Sequence, residues 1–173
     1  MNNQDLFIFH QSPPELCKDI ISNIDLHEDD VLLEPFAGLN GFYNNFPEEL
    51  QKHRCEIQDG LDFRDFLYDD IKPTVVISNP PFDLGENFRI RKNDFYNIVK
   101  FFSEKQYIRK IVFLCSSSCF NSLTPKRMQK LNEDGLFIEK IYTCFIKKWR
   151  GIYYVIEFSR KYNPSFNYLL KVY

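Results

Sequence analysis

No stretch of this 173-residue chain approaches the ~20 consecutive apolar residues that a membrane-spanning helix needs. The opening residues MNNQDLFIFH have no basic segment ahead of their short apolar run, so no secretory signal is expected. Five cysteines, an odd number, contain no Cys-x-x-Cys pair, and Cys115 and Cys119 are the nearest two. A disulfide framework or a structural zinc is therefore not expected, and reduced thiols inside a cell fit better. The three histidines, His10, His27 and His53, form no ligand cluster, and no metal is called for. Internal repeats, low-complexity tracts and long linkers are all missing. One domain over 1–173, intracellular (cytoplasm or a nucleoid- or nucleus-like compartment) and without a membrane partner, is the expectation.

The net charge of −2 conceals a strong division. Residues 1–86 carry 18 acids and 5 bases, whereas 87–173 carry 17 bases and 6 acids. Either the C-terminal half presents a basic face to phosphates, or the two halves pair within one fold.

Strand and helix signals alternate along the chain. Ser12-Pro13-Pro14-Glu15 reads as a helix start, with Ser12 as N-cap and Glu15 completing a capping box, ahead of Leu16, Ile20, Ile21 and Ile24. Strands are expected at 30–34, 53–57, 74–78 and 110–114, with a short helix in part of 42–52. Asp94 opens a helix bearing Phe95, Ile98, Val99 and Phe102, ending near Gln106, and Thr124-Pro125 opens another that Gly135 stops. Two long strands, 137–146 and 152–159, flank Lys147-Lys148-Trp149-Arg150-Gly151. The alternation argues a parallel sheet, and the final close pair argues one antiparallel strand.

The most informative residues are Asn79-Pro80-Pro81-Phe82, directly after the β-branched run Thr74–Ser78. A strand with no apolar alternation is buried on both faces, and its carboxyl end is where open α/β sheets bind ligands. Two prolines stiffen the backbone, remove two donors and keep Asn79 out of a helix. The result is two rigid acceptors beside an aromatic ring, suited to a planar substrate with an exocyclic NH2. A plain turn ending the strand is the alternative.

Other residues fall at the same edge. The loop Glu34–Gly41 follows the first strand and has two glycines, which permit close approach to a ligand. Glu56, at the end of the second strand, suits a ribose acceptor or is an ordinary surface carboxylate. Asp62-Phe63 pairs an acceptor with an aromatic plane, though Asp62 equally fits a cap for Phe63–Leu67.

Together these motifs resemble the S-adenosylmethionine-dependent amino-methyltransferases, most closely the N6-adenine DNA methyltransferases of bacterial and phage type. Asn79-Pro80-Pro81-Phe82 matches that family's catalytic tetrapeptide, and Glu34-Pro35-Phe36-Ala37-Gly38 its E/D-P-x-x-G cofactor motif. Ser12-Pro13-Pro14 resembles the T/S-P element that contacts the methionine end of the cofactor. The resemblance implies a Rossmann-like class I methyltransferase domain: a mostly parallel twisted sheet, one antiparallel strand near the C-terminus, helices on both faces. It implies S-adenosylmethionine as cofactor, bound by Ser12, Pro13, Glu34, Pro35, Phe36, Gly38, Glu56, Asp62, Phe63 and Asn79. The implied chemistry is methyl transfer to adenine N6 in nucleic acid, DNA favoured over RNA, with RNA bases and the glutamine amide of proteins as chemically equivalent targets.

Arg89, Arg91, Lys148, Trp149 and Arg150 are the expected substrate contacts, Trp149 by stacking on a nucleotide or else by packing on the sheet. Two departures stand out. Asn40 occupies the position of the family's second loop glycine, which also admits an inactive partner subunit as a reading. No insertion is large enough for a target-recognition domain, so a homodimer or partner subunit is expected to supply recognition.

Overall fold

Asp30 sits where three strands begin, and its carboxylate joins them. A computed structural model describes residues 11–81, 94–147, 149 and 151–162. Strand β1 (Val31–Glu34) starts just after Asp30, β3 (Val75–Ser78) just after Thr74, and β4 (Lys110–Ser116) just after Arg109. The Thr74 hydroxyl donates to Asp30 Oδ1 at 2.7 Å, Arg109 Nε donates to the same oxygen at 2.8 Å, and the His27 N–H gives to Oδ2 at 2.7 Å. The Val31 N–H in turn gives to Thr74 Oγ1 at 3.0 Å. Asp30 is 3% exposed. Burial alone pushes its carboxyl up, but the bonds from Arg109, His27 and Thr74 outweigh that and hold it below the ordinary carboxylate range.

With β2 (Gln51–Arg54), β5 (Phe137–Cys144) and β6 (Tyr153–Ser159), these strands form one sheet in the order β2-β1-β3-β4-β6-β5. Strand β6 runs antiparallel to both its neighbours, and the remaining pairings are parallel. Successive side chains of a strand point to opposite faces, so the apolar runs feed two cores at once. Leu32, Val75, Ile77, Val112 and Leu114 pack with Cys17, Ile20 and Ile21 of α1 (Pro14–Ser22). Leu33, Val76, Ile111 and Phe113 pack on the other face with α3 (Asp94–Ser103) and α5 (Pro125–Glu133). Each fully buried Leu, Ile or Phe contributes roughly 1.5–3 kcal/mol. Two single-turn helices, α2 (Tyr68–Ile71) and α4 (Ser117–Phe120), complete the set. Among the described residues no helix is long and apolar enough to cross a membrane.

The expected mostly parallel sheet, with one antiparallel strand and helices on both faces, is what forms. Helix α5 ends as Gly135 requires: its φ is 74°, the Gly135 N–H gives to the Asn132 carbonyl, and that of Leu136 to the Leu131 carbonyl. Three local expectations need correction. Strand β2 lies at 51–54 rather than 53–57, because an edge strand of sequence Gln-Lys-His-Arg carries little apolar signal. Part of 42–52 forms only one 3-10 turn, Tyr43–Asn45. The capping box at α1 does not form: Pro13 is the N-cap, no side chain bonds there, and Ser12 lies one residue further out.

The antiparallel side of the sheet is also tied by charge. Lys110, buried on β4, bonds Glu157 of β6 and reaches Glu139 of β5 at 3.2 Å. The Arg160 guanidinium donates to the carbonyls of Ser103, Lys105, Ile108 and Asp134, gathering the loops beneath α3 and α5.

Asp30→Asn leaves Arg109 without its counter-ion and is expected to cost about 3 kcal/mol, read by urea unfolding near neutral pH. Because the folded carboxyl is held low, this contribution is present above the unfolded value of 3.8 and is lost as pH falls through the folded one. A variant as stable as the parent across that range would contradict the role.

Candidate active site at the carboxyl edge

Strand β1 leads outward to β2 on one side, and β3 leads to β4 on the other. The crevice beyond the carboxyl ends of β1 and β3 is therefore the switch point of the sheet, where such folds bind ligands. Its first wall is the turn after β1. Gly38 (φ 51°) and Asn40 (φ 64°) both adopt the left-handed conformation, which Asn tolerates better than most residues. The turn thus forms with Asn40 in place of a second glycine. Gly41 serves a different need: a Cβ there would lie 3.2 Å from Cys17 Sγ and 3.4 Å from the Ser12 carbonyl, so its absence lets α1 approach.

Both acids of this region hold the turn. Glu34 is 2% exposed, its Oε2 accepting from the Tyr43 N–H at 2.7 Å and its Oε1 from the Phe42 N–H at 3.4 Å. Burial pushes its carboxyl up to about 8, against the pull of those two amides. Glu56 Oε2 accepts from the Gly38 N–H at 2.6 Å and Oε1 from the Gln58 N–H at 3.1 Å. Pro35 and Ala37 are buried, and Phe36 is half-buried. Gln11 lies across the turn, its Oε1 accepting from the Leu39 N–H at 3.0 Å.

The second wall is the end of β3. All four residues of β3 are buried, as the unbroken β-branched run predicts. The Ser78 hydroxyl donates to the Phe36 carbonyl at 3.3 Å, tying β3 to the β1 turn. Asn79 Nδ2 donates to Ser12 Oγ at 3.2 Å. This bond crosses 67 residues and brings the Ser12-Pro13-Pro14 element against the Asn79-Pro80-Pro81 element. It also fixes the carboxamide, whose oxygen is buried. Pro80 is buried and Pro81 half-buried.

Not every expected residue faces the crevice. Asp62 caps the 3-10 turn Phe63–Asp65 through the Arg64 N–H, the second of its two expected uses. Arg64 also holds the Asp62 carboxylate through Nε and NH2, at 2.8 and 2.6 Å, which lowers its proton affinity. Phe63 is 7% exposed, its ring 4.8 Å from that of Phe36 and also against Phe101 and Phe102, so it lines the core. Trp149 packs on the sheet, 5% exposed with its ring 4.8 Å from that of Tyr153, which is the second of its two expected uses. In the same 145–152 connection Phe145 is 80% exposed instead. Phe82, Arg89, Arg91, Lys148 and Arg150 lie outside the described residues.

Sequence reading missed two apolar surfaces beside the turn, Leu39 (60% exposed) and Ile57 (50% exposed). Placing Ile57 inside a strand concealed it; ending β2 at Arg54 releases it to the rim. The Asn40 side-chain oxygen is buried and has no hydrogen-bond partner among the described residues. A left-handed turn, a buried acceptor, a nearby carboxylate and two apolar side chains suit a nucleoside bearing an amino-acid tail.

Burial of Glu34 has a measurable consequence. Between the unfolded value of 4.5 and about 8 the folded protein keeps a proton that the unfolded chain releases. Stability is therefore expected to fall as pH rises through that window, by about 1.4 kcal/mol per unit at most. Glu34→Gln should flatten this slope in urea midpoints compared at about pH 5 and about pH 8. An unchanged slope would contradict the assignment.

No protein-family model and no curated protein sequence matches the chain. Among solved structures, a Listeria monocytogenes protein provisionally described as a class I S-adenosylmethionine-dependent methyltransferase superposes with a TM-score of 0.57 at 13% identity. The match covers 95% of this chain, which spans 65% of that protein's length. Looser overlaps are found with M. jannaschii TYW2 in complex with AdoMet (TM-score 0.48, 13% identity, 87% of this chain and 76% of that one). A Spodoptera frugiperda DNMT2 mutant gives a TM-score of 0.49 at 14% identity, over 91% of this chain and 50% of that one. With its six-stranded order, its single antiparallel strand and this superposition, the chain has the Rossmann-like fold of class I methyltransferases.

Proposed function

We propose that this chain is an S-adenosylmethionine-dependent methyltransferase acting on the exocyclic N6 amino group of adenine in nucleic acid, DNA in preference to RNA. The observation that carries the reading is the Ser12–Asn79 bond at the carboxyl end of β3, beside the left-handed turn after β1. It joins the two motif elements that the amino-methyltransferase resemblance names, at the crevice where a class I fold binds ligands.

The cofactor-side residues are the turn Glu34–Asn40, with Ser12 and Pro13 before α1, the buried Glu56 that holds Gly38, and Leu39 and Ile57 as apolar flanks. When bound there, S-adenosylmethionine supplies an electrophilic methyl group on a sulfonium. The chain's own contribution is to the nucleophile. An adenine N6 lone pair is delocalised into the ring. Acceptors at the Asn79 side-chain oxygen and the Pro80 carbonyl draw on the two N–H groups and localise that lone pair outside the base plane. This is electrostatic preorganisation of the nucleophile; the extra proton of the methylated N6 is lost to water after transfer. Ser12 makes it stiff by holding the Asn79 amide nitrogen, and the two prolines hold the backbone. Phe82 is the aromatic that stacks on the base and sets its plane.

Nucleic acid rather than protein is favoured by Phe82 and by the charge division. Among the described residues Arg109–Asp30 alone of the ion pairs joins the acidic and basic halves, so neutralisation across the fold accounts for little of the basic surplus. A target base in a duplex must be flipped out, a cost single strands avoid. Recognition of a particular sequence is assigned to a second copy or a partner subunit.

Asn79→Ala should lower methyl transfer by at least ~100-fold while calorimetric affinity for S-adenosylmethionine changes less than about twofold. Ser12→Ala should lower kcat by roughly tenfold with the KM for nucleic acid little changed. Retained transfer in Asn79→Ala, or a parent protein that gives no heat with the cofactor, would overturn the reading.

A further inference from the structure

A second concavity opens at the same edge of the sheet, on the side of β4 away from the β1 turn. It encloses about 620 Å³ and is lined by Ser118, Asn121, Thr124, Lys126, Arg127 and Lys130, with Tyr96 of α3 behind Arg127. Its position follows from register. Ser78 at the end of β3 pairs with Phe113, β4 runs on to Ser116, and α4 with its following loop carries the first lining residues. The carboxyl end of β3, which leads to Asn79, thus lies between β1 with its turn and the strand that leads to this concavity.

Three cations and, among the described residues, no acid line it. Arg127 is half-buried, 5.0 Å above the Tyr96 ring, and one guanidinium nitrogen donates to the Ser122 carbonyl at 2.8 Å. Among the described residues that leaves most of its five donors uncommitted in a fixed plane. Lys126 and Lys130 are exposed one turn apart on α5, where like charges repel. None of the three forms an ion pair among the described residues. A partly desolvated guanidinium beside two such ammonium groups is an arrangement that an anion stabilises. A fixed planar donor set beside point charges fits the several oxygens of a phosphate, and the hydroxyls of Ser118 and Thr124 with the Asn121 amide fit its sugar neighbours.

We infer that this concavity is a backbone-phosphate site, which seats a phosphodiester next to the base presented to Asn79. The inference rests on the nucleic-acid reading above and adds a site to it. It makes Lys126, Arg127 and Lys130 positioning residues for the substrate strand.

The test compares the parent with Lys126→Gln/Lys130→Gln, both at exposed positions, and with Arg127→Lys. Binding to fluorescently labelled single-stranded DNA and RNA is measured by anisotropy across a salt series, beside calorimetry with S-adenosylmethionine and thermal melting. The double variant is expected to bind about tenfold more weakly, with the salt slope reduced by about 0.7 for each phosphate it no longer neutralises. Its cofactor affinity and melting should match the parent, and Lys126→Arg/Lys130→Arg should restore binding. Arg127→Lys should weaken binding while keeping the slope, since charge survives and the planar fork does not. A parent that binds DNA with an affinity and slope unchanged in the double variant overturns this site alone. A parent that binds neither DNA nor RNA overturns the site and the nucleic-acid reading together. Inorganic phosphate or a polyglutamate peptide competing as strongly as the oligonucleotide overturns the backbone assignment.

Discussion

The carboxylate of Asp30 is the constraint from which the geometry of the crevice descends. By accepting from Thr74, Arg109 and the His27 amide, it pins the starting points of β1, β3 and β4 to one another at the closed end of the sheet. Strand lengths then decide what happens at the open end. Strands β1 and β3 each run four residues, with Leu33 beside Val76, so Glu34 and Ser78 finish within one residue of each other. Strand β4 runs seven, and the extra three residues carry it about 10 Å further, raising the wall on which α4 and the basic concavity sit.

The two ends of the sheet use charge in opposite ways. At the closed end, carboxylates meet guanidinium and ammonium groups: Asp30 with Arg109, Glu157 and Glu139 with Lys110. Such pairs are weak sources of net stability but break expensively, so they fix register. At the open end the acids Glu34 and Glu56 accept backbone amides and shape one turn, while Lys126, Arg127 and Lys130 stand unpaired among the described residues.

Much of this was legible in the residues. The unbroken apolar runs 74–78 and 110–114 marked central strands, because burial on both faces erases alternation. Thr124-Pro125 and Gly135 bounded α5, and Asn79-Pro80-Pro81 marked the carboxyl edge. What escaped depended on partners distant in the chain. Ser12 looked like a local N-cap, yet its hydroxyl meets Asn79, and no local pattern encodes a bond across 67 residues. Phe63 and Trp149 have the chemistry to stack on a base, but burial decides between core and site, and both went to the core. Strand β2 was misplaced because an edge strand needs only one neighbour and little apolar content. The basic concavity is assembled from α3, α4 and α5, and neither its shape nor the pairing state of its cations exists in sequence.

The central claim is that the rigid acceptors at Asn79 and Pro80 activate the N6 amino group of adenine. Its most direct measurement is incubation of the protein with methyl-labelled S-adenosylmethionine and, in parallel, adenine-containing DNA, RNA and protein, followed by digestion and mass spectrometry. The account predicts label in N6-methyladenine, recovered most from DNA. Label confined to another base or to a glutamine side chain, or no label in any substrate while the cofactor binds, would contradict it.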